Sequence, residues 1–205
     1  KKTFEKFINF LKSGIVNVYG ISISMPFKFF AQKFSDITHK SSTISQNTNT
    51  LVFKKKKIYA YNSDYLAAKK ILKNKNFENY IILGAGSLSL TFISLLKKKN
   101  IFLFNRTAKN TKKLINKYKN IVELKKSIKK INNVCVINAT PKHNHNKLLK
   151  LVDFSRIKYI CDCVIADKSE LNIIAKKYSI NYTSGDFFYK CQRSFQQKIY
   201  LNEKI

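Results

Sequence analysis

The sequence predicts an α/β protein in two parts: a smaller α/β part, then a parallel-sheet part, with a last helix returning to the first. Three observations predict it. Short apolar runs at residues 80–83, 101–104, 134–137 and 159–165 alternate with stretches of helical spacing. Such runs mark strands covered on both faces by crossover helices. Before residues 65–75 the pattern is different, with strand-like alternation and a hairpin, and residues 187–200 close the chain with helical spacing. The predicted domains are therefore 1–66, 67–186, and a C-terminal helix over 187–205 that packs on the first domain.

Residues 4–11 carry Phe and Ile at helical spacing and stop at Ser13-Gly14. Residues 16–24 alternate like a strand and end at Pro26; 28–34 read as a helix and 35–48 as a polar segment. Residues 51–53 and 58–60 predict a hairpin around the lysines at 54–57, and 65–73 a helix. Strands are then expected over 80–83, 101–104, 134–137 and 159–165, with helices over 88–98 and 108–118. The lysines at 97–99 read as a helix end, where they complement the dipole.

Composition narrows the function. The 205 residues carry 40 Lys and Arg against 11 Asp and Glu, a net charge of +29. An apolar fraction of 44% and an aromatic fraction of 13% exclude global disorder. Phosphate-rich partners are the first reading of such charge. Only Arg106, Arg156 and Arg193 are arginines, however, and arginine is the side chain that forks onto phosphates and base edges. Lysine spread over solvated faces is the better reading, so neither nucleic acid nor membrane is expected as a partner. The longest uncharged apolar stretch, 81–96, is too short and too broken by Gly, Ser and Thr to cross a bilayer. Four Cys do not form a disulfide framework, and a reducing, cytoplasmic location fits. Cys161-Asp162-Cys163 and His143-Asn144-His145 lack the spacing of structural zinc ligands, so no metal is expected.

The chemistry begins at Gly84-Ala85-Gly86-Ser87-Leu88-Ser89, which follows a strand and opens a helix. The first Gly permits the tight turn, and the second lets backbone approach a pyrophosphate at the helix N-terminus. That pattern predicts a Rossmann-like dinucleotide-binding domain. The next strand ends at Asn105-Arg106-Thr107, 22 residues after Gly84. An acidic residue there would take the ribose hydroxyl of NAD, whereas Arg106 suits the added phosphate of NADP. A hydride carrier also needs a group that gives and takes the hydroxyl proton. Lys28, at the end of Ser22-Ile23-Ser24-Met25-Pro26-Phe27-Lys28, and Asp64, in Asn62-Ser63-Asp64 at the expected end of another strand, supply an ammonium and a carboxylate for that task.

With these segments in order, the chain resembles the shikimate dehydrogenase family. Residues 22–28 look like its N-V-T-x-P-x-K segment, 47–51 like A-x-N-T-L, 62–65 like N-T-D-G and 84–87 like G-A-G-G. Asn105-Arg106-Thr107 and Asn138-Ala139-Thr140-Pro141 are intact, and Gly185 and Gln192 keep the family spacing. The resemblance implies that Lys28 is the acid/base and Asp64 its partner, which also touches substrate. It implies that Ser24, Asn49 and Gln192 hold substrate hydroxyls. Gly84, Ala85, Gly86, Ser87 and Leu88 would bind the pyrophosphate, and Asn105, Arg106 and Thr107 the adenosine phosphate. Thr140, Cys163 and Gly185 complete the cofactor side. The implied reaction is the reversible NADPH-dependent reduction of 3-dehydroshikimate to shikimate, on the route to chorismate and the aromatic amino acids; a homodimer is one assembly open to it, and the sequence does not fix the oligomeric state.

The chain also departs from the family. It begins at Lys1 with no upstream S-x-S segment for the substrate carboxylate, so the first domain is expected to be incomplete and the chain a fragment. Ile165 stands at a family Tyr, Asn110 beside Lys109 at a second basic position, and Tyr65 at a Gly. The alternatives are a relative that oxidises quinate, one that uses NAD, against which Arg106 argues, and a truncated inactive homologue. A basic nucleic-acid module is the remaining rival, and it requires a clustered positive face.

Overall fold

A computed structural model describes residues 2–125, 131–141, 151–166 and 169–205. The chain divides into two compact units, Lys1–Ile71 with Cys191–Ile205, and Leu72–Lys190.

In the first unit, helix α1 (Lys2–Lys12) buries Phe4, Ile8 and Leu11, an apolar stripe at spacing four and three. The Phe4 ring stacks on Phe27 at 4.6 Å and meets Phe34 edge-on at 5.7 Å. Strands β1 (Gly20–Ser22), β2 (Ile37–Thr38), β3 (Thr50–Lys54) and β4 (Lys57–Tyr61) form one sheet in the order β1-β3-β4-β2. β3 runs antiparallel to β1 and β4, and β2 parallel to β4. Leu51, Ile58 and Ala60 from this sheet close on the α1 stripe. Helices α2 (Lys28–Ala31), α3 (Lys40–Ser45) and α4 (Ser63–Leu72) complete the unit.

Three expectations are corrected here. The strand expected over 16–24 is only Gly20–Ser22, because its one partner, β3, begins at Thr50 opposite Ser22. The polar segment 35–48 holds both β2 and α3: Ser41, Ser42 and Ser45 are fully buried, so a packed helix is written in polar letters. Asp64 does not end a strand; β4 stops at Tyr61, and Asp64 lies in the first turn of α4.

The second unit holds β5 (Asn79–Leu83), α5 (Ser87–Leu95), β6 (Asn100–Phe104), α6 (Ala108–Lys117), β7 (Ile121–Glu123) and β8 (Val134–Asn138). β9 (Ile157–Asp162), α7 (Glu170–Lys177), β10 (Asn181–Thr183) and the start of α8 (Gly185–Tyr200) follow. The six strands are all parallel, in the order β10-β9-β8-β5-β6-β7. Every residue of β5 and β8 is buried, as their unbroken apolar runs require of central strands. From β5 the chain winds outward to β6 and β7, then returns to β8 on the other side. The C-terminal ends of β5 and β8 therefore flank a topological switch point, where open α/β sheets bind ligands.

The edge strands β7 and β10 are three residues each, too short for a sequence pattern to reveal, and α7 is only eight residues long. The strand expected over 159–165 is Ile157–Asp162, because the Asp162 carboxylate takes the Val164 N–H at 3.2 Å and turns the chain out of the sheet. Helix α5 ends at Leu95, so the lysines at 97–99 lie past it.

The last residues of α8 and the segment after it belong to the first unit. The Tyr200 hydroxyl is 3.0 Å from Ser22 Oγ, and its ring lies where a Cβ on Gly20 would sit at 2.6 Å. Lys54 Nζ donates to Asn202 Oδ1 at 3.2 Å.

The β3–β4 hairpin turns through Lys55 and Lys56, with Lys54 paired to Lys57. Both loop residues have positive φ, 50° and 59°. This is the two-residue turn that Asn-Gly satisfies without strain. Replacing Lys55-Lys56 with Asn-Gly is expected to raise unfolding stability by about 1 kcal/mol in urea titration, with unchanged m-value.

Candidate active site

Lys28 opens α2, directly after the turn at residues 24–27 that Phe27 N–H closes on Ser24 O at 3.0 Å. Its own carbonyl accepts from Thr48 N–H at 2.9 Å, which ties α2 to the segment leading into β3. Lys28 Nζ meets Asp64 Oδ2 at 2.7 Å, and the side chains are only 18% and 9% exposed. The ammonium and carboxylate expected to converge do so, as a largely buried ion pair.

Beside it lies a ring of amides and hydroxyls from the same unit. Asn49 Nδ2 donates to Ser63 Oγ at 2.9 Å, and Ser63 N–H donates back to Asn49 Oδ1 at 2.9 Å. Gln192 Nε2 donates to Ser63 Oγ at 2.6 Å. Gln196, one turn further along α8, donates from Nε2 to Thr50 Oγ1 at 2.9 Å, and Thr50 Oγ1 donates to Asn49 Oδ1 at 2.8 Å. Asn49 and Gln192 are thus brought together through Ser63, the immediate neighbour of Asp64. Ser24 is not joined to them: it is exposed, and among the described residues its hydroxyl reaches only Met25 O, at 3.4 Å. Tyr65, at the family glycine position, is buried in α4, and its N–H donates to Asn62 Oδ1 at 3.2 Å.

Sequence reasoning missed Gln196 and the linking role of Ser63. A helical Gln four residues after Gln192 was the available signal. It also missed the polar support beneath. Asn62 Nδ2 donates to Ser45 Oγ at 2.7 Å and to Asn47 Oδ1 at 2.9 Å, while Asn62 N–H donates to Ser41 Oγ at 2.9 Å. These groups tie α3 to the β4–α4 junction that carries Ser63 and Asp64.

In the second unit, Gly84 ends β5 with φ +100°, a conformation that disfavours any side chain. A Cβ there would lie 3.0 Å from Thr140 Cγ2 and 3.2 Å from Ser89 Oγ. Ala85 and Leu88 are half-buried and Ser87 is buried. Gly86 is the N-cap of α5, makes no side-chain cap, and has open space where a Cβ would stand. Ser89 Oγ is buried and has no hydrogen-bond partner among the described residues.

Thr140 follows β8, and its N–H and hydroxyl both donate to Asn138 Oδ1, at 3.1 and 2.8 Å. Asn105 Nδ2 donates to Thr107 O at 2.8 Å, which shapes the turn that presents the exposed Arg106 at the start of α6. Arg106 makes no ion pair among the described residues. Cys163 N–H donates to Asn138 O at 3.0 Å. Gly185 has a packing reason of its own: a Cβ would come within 2.0 Å of Val164 O. Ile165 is 58% exposed. Cys161 is fully buried, His143 and His145 lie outside the described residues, and no metal-ligating cluster occurs among the described ones.

These residues fit a dinucleotide. A glycine turn, the N-terminus of α5, a buried Ser89 hydroxyl with no partner among the described residues and the exposed Arg106 guanidinium at the end of the next strand are the kinds of group that hold an anion at a switch point. Fold and site define a doubly wound α/β protein with the glycine turn of a dinucleotide-binding domain in its second unit and a buried Lys–Asp pair in its first.

Comparison with known proteins agrees. No family model matches the chain. The NADP(+) shikimate dehydrogenase of Saccharolobus solfataricus is 30% identical over 206 residues, covering 94% of this chain and 74% of that protein. The structure of a shikimate 5-dehydrogenase-like protein matches with a TM-score of 0.82 at 20% identity, over all of this chain and 80% of that one. A shikimate dehydrogenase in complex with NADP+ matches at 0.77 and 20% identity, over 99% and 77%. The chain belongs to the shikimate dehydrogenase family.

The N-cap of α3 carries a pH signal. His39 Nδ1 accepts from Ser41 N–H at 3.2 Å, a bond that a protonated ring cannot make. Burial, helped by the charge of Lys40, holds the His39 pKa below 6.5. The stabilisation from His39 is therefore complete above about 6.5 and is lost as pH falls below it. Asp36 and Asp153 are held below 3.8 and act in a separate, more acidic window. His39→Asn, which keeps the cap, is expected to flatten the decline in melting temperature between about pH 7.5 and 5.5.

Proposed function

We propose that this chain catalyses the reversible reduction of 3-dehydroshikimate to shikimate with NADPH, using Lys28 as acid/base and Asp64 as its partner. The observation that carries the reading is the 2.7 Å Lys28–Asp64 pair, shielded from water beside the Asn49–Ser63–Gln192 ring. The named relative's activity and the NADP+ complex of the structural neighbour support the substrate and cofactor.

Bound NADPH supplies hydride. The chain's residues do the rest. Lys28 Nζ gives its proton to the alkoxide that forms at the reduced carbonyl, and takes it back in the oxidative direction. Its positive charge stabilises that alkoxide as it develops. Asp64 fixes the ammonium and uses its second oxygen, Oδ1, to accept a substrate hydroxyl. Asn49 and Gln192, oriented by Ser63, hold further ring hydroxyls. Gly84 to Leu88 would hold the pyrophosphate on backbone N–H groups, Thr140 would face the cofactor's ribose side, and Asn105 to Thr107 would hold the 2′-phosphate.

Lys28→Met is expected to cut shikimate-dependent reduction of NADP+ by at least about 100-fold, measured by absorbance at 340 nm. NADPH affinity should stay within about twofold, as a proton-transfer role requires. Equal turnover would remove the role given to Lys28.

Arg106→Gln loses a charge-assisted contact to the 2′-phosphate. It is expected to weaken NADPH binding about 10-fold or more while leaving NADH binding nearly unchanged. Parallel titrations of the two cofactors check it, and equal losses for both would contradict this assignment.

A further inference from the structure

The carboxylate of Asp162 is fully buried at the end of β9, and the proposed chemistry leaves it without a role. Its surroundings are all donors. Oδ1 accepts from Asn138 Nδ2 at 2.9 Å and from Val164 N–H at 3.2 Å. Oδ2 accepts from Tyr182 OH at 3.1 Å and from the Ser169 hydroxyl. Strands β8, β9 and β10 and the turn before α7 thus meet on one side chain.

A carboxylate accepts and never donates, whereas an amide does both. Asp162 therefore decides which way the Asn138 amide faces: Nδ2 must point to the acid. That leaves Oδ1 facing the opposite way, where it accepts the N–H and hydroxyl of Thr140 at 3.1 and 2.8 Å. Thr140 in turn packs against Gly84, with Cγ2 3.0 Å from where a Cβ would stand. A flipped amide would set its NH2 against the Thr140 N–H, which cannot turn to accept as the hydroxyl can, and would lose the bond that closes the turn.

We propose that Asp162 is a positioning residue for cofactor binding: by fixing the orientation of the Asn138 amide, it sets the Thr140 turn against Gly84. The inference rests on the reading of Gly84 and Thr140 as part of the NADPH site. It makes the switch-point wall depend on an acid one strand away from the residues that form it.

Titration of NADPH fluorescence and KM for shikimate test this together. Asp162→Ala is expected to raise the NADPH dissociation constant at least 10-fold, with KM for shikimate within twofold. Asp162→Asn is expected to stay within threefold on both. The Val164 N–H keeps the new amide's oxygen on the Asn138 side, and the two hydroxyls can turn to accept from its NH2. A purely structural acid would instead lower the melting temperature and move both constants together. If Asp162→Ala does not fold, Asn138→Ala cuts the same link with a smaller void and is expected to show the same split. Unchanged NADPH affinity in these alanine variants, or parallel loss of both constants, would overturn the inference. A wild-type chain that fails to bind NADPH would instead overturn the reading of the cofactor site.

Discussion

An ammonium taken out of water must have a carboxylate beside it, and the first unit is arranged to meet that condition at Lys28. Removing one partner of a buried pair typically costs about 3–5 kcal/mol, because the other charge is left stranded. The chain accepts that liability at two positions 36 residues apart, with side chains only 18% and 9% exposed. Everything around the pair fixes its geometry. The turn at residues 24–27 and the Thr48–Lys28 bond hold the lysine, and α4 holds the aspartate. The buried polar layer of Ser41, Ser45, Asn47 and Asn62 anchors the start of α4. Such a network is worth its conformational cost only when every member is satisfied, and these members satisfy one another.

The second unit solves a different problem with the same materials. Its central strands are apolar and need no partners beyond packing. Polar groups concentrate where the strands end, at Gly84, Asn105, Asn138 and Asp162. Asn138 and Asp162 are fully buried yet bonded to one another. The ends of β8 and β9 are thereby tied together, and the hydroxyl of Ser89 has no hydrogen-bond partner among the described residues. Rigid donors at a helix N-terminus lower the entropic cost of holding a phosphate.

The central strands, the glycine turn, the hairpin and the last helix could be read from the sequence, because burial on both faces and turn chemistry leave strong local marks. The Lys28–Asp64 pairing and the Asn49–Gln192 ring could be read only through ordered motifs, since 37 of the 205 residues are lysine and spacing alone singles out none. What stayed hidden had a physical cause. Helix α3 buries serines, so its polar letters imitated a loop. β1, β7 and β10 are three-residue edge strands whose ends are set by their neighbours. Asp162 sat within an apolar run and read as mid-strand, whereas it is the last residue of β9 and its carboxylate turns the chain out of the sheet.

The proposed chemistry needs Lys28 and Asp64 to act as one device, and a double-mutant cycle on turnover tests that most directly. Rates of shikimate oxidation would be measured for Lys28→Met, Asp64→Asn and the double variant. Residues that work as a unit give a double variant no slower than the worse single one. Losses that multiply, each residue contributing independently of the other, would contradict the account.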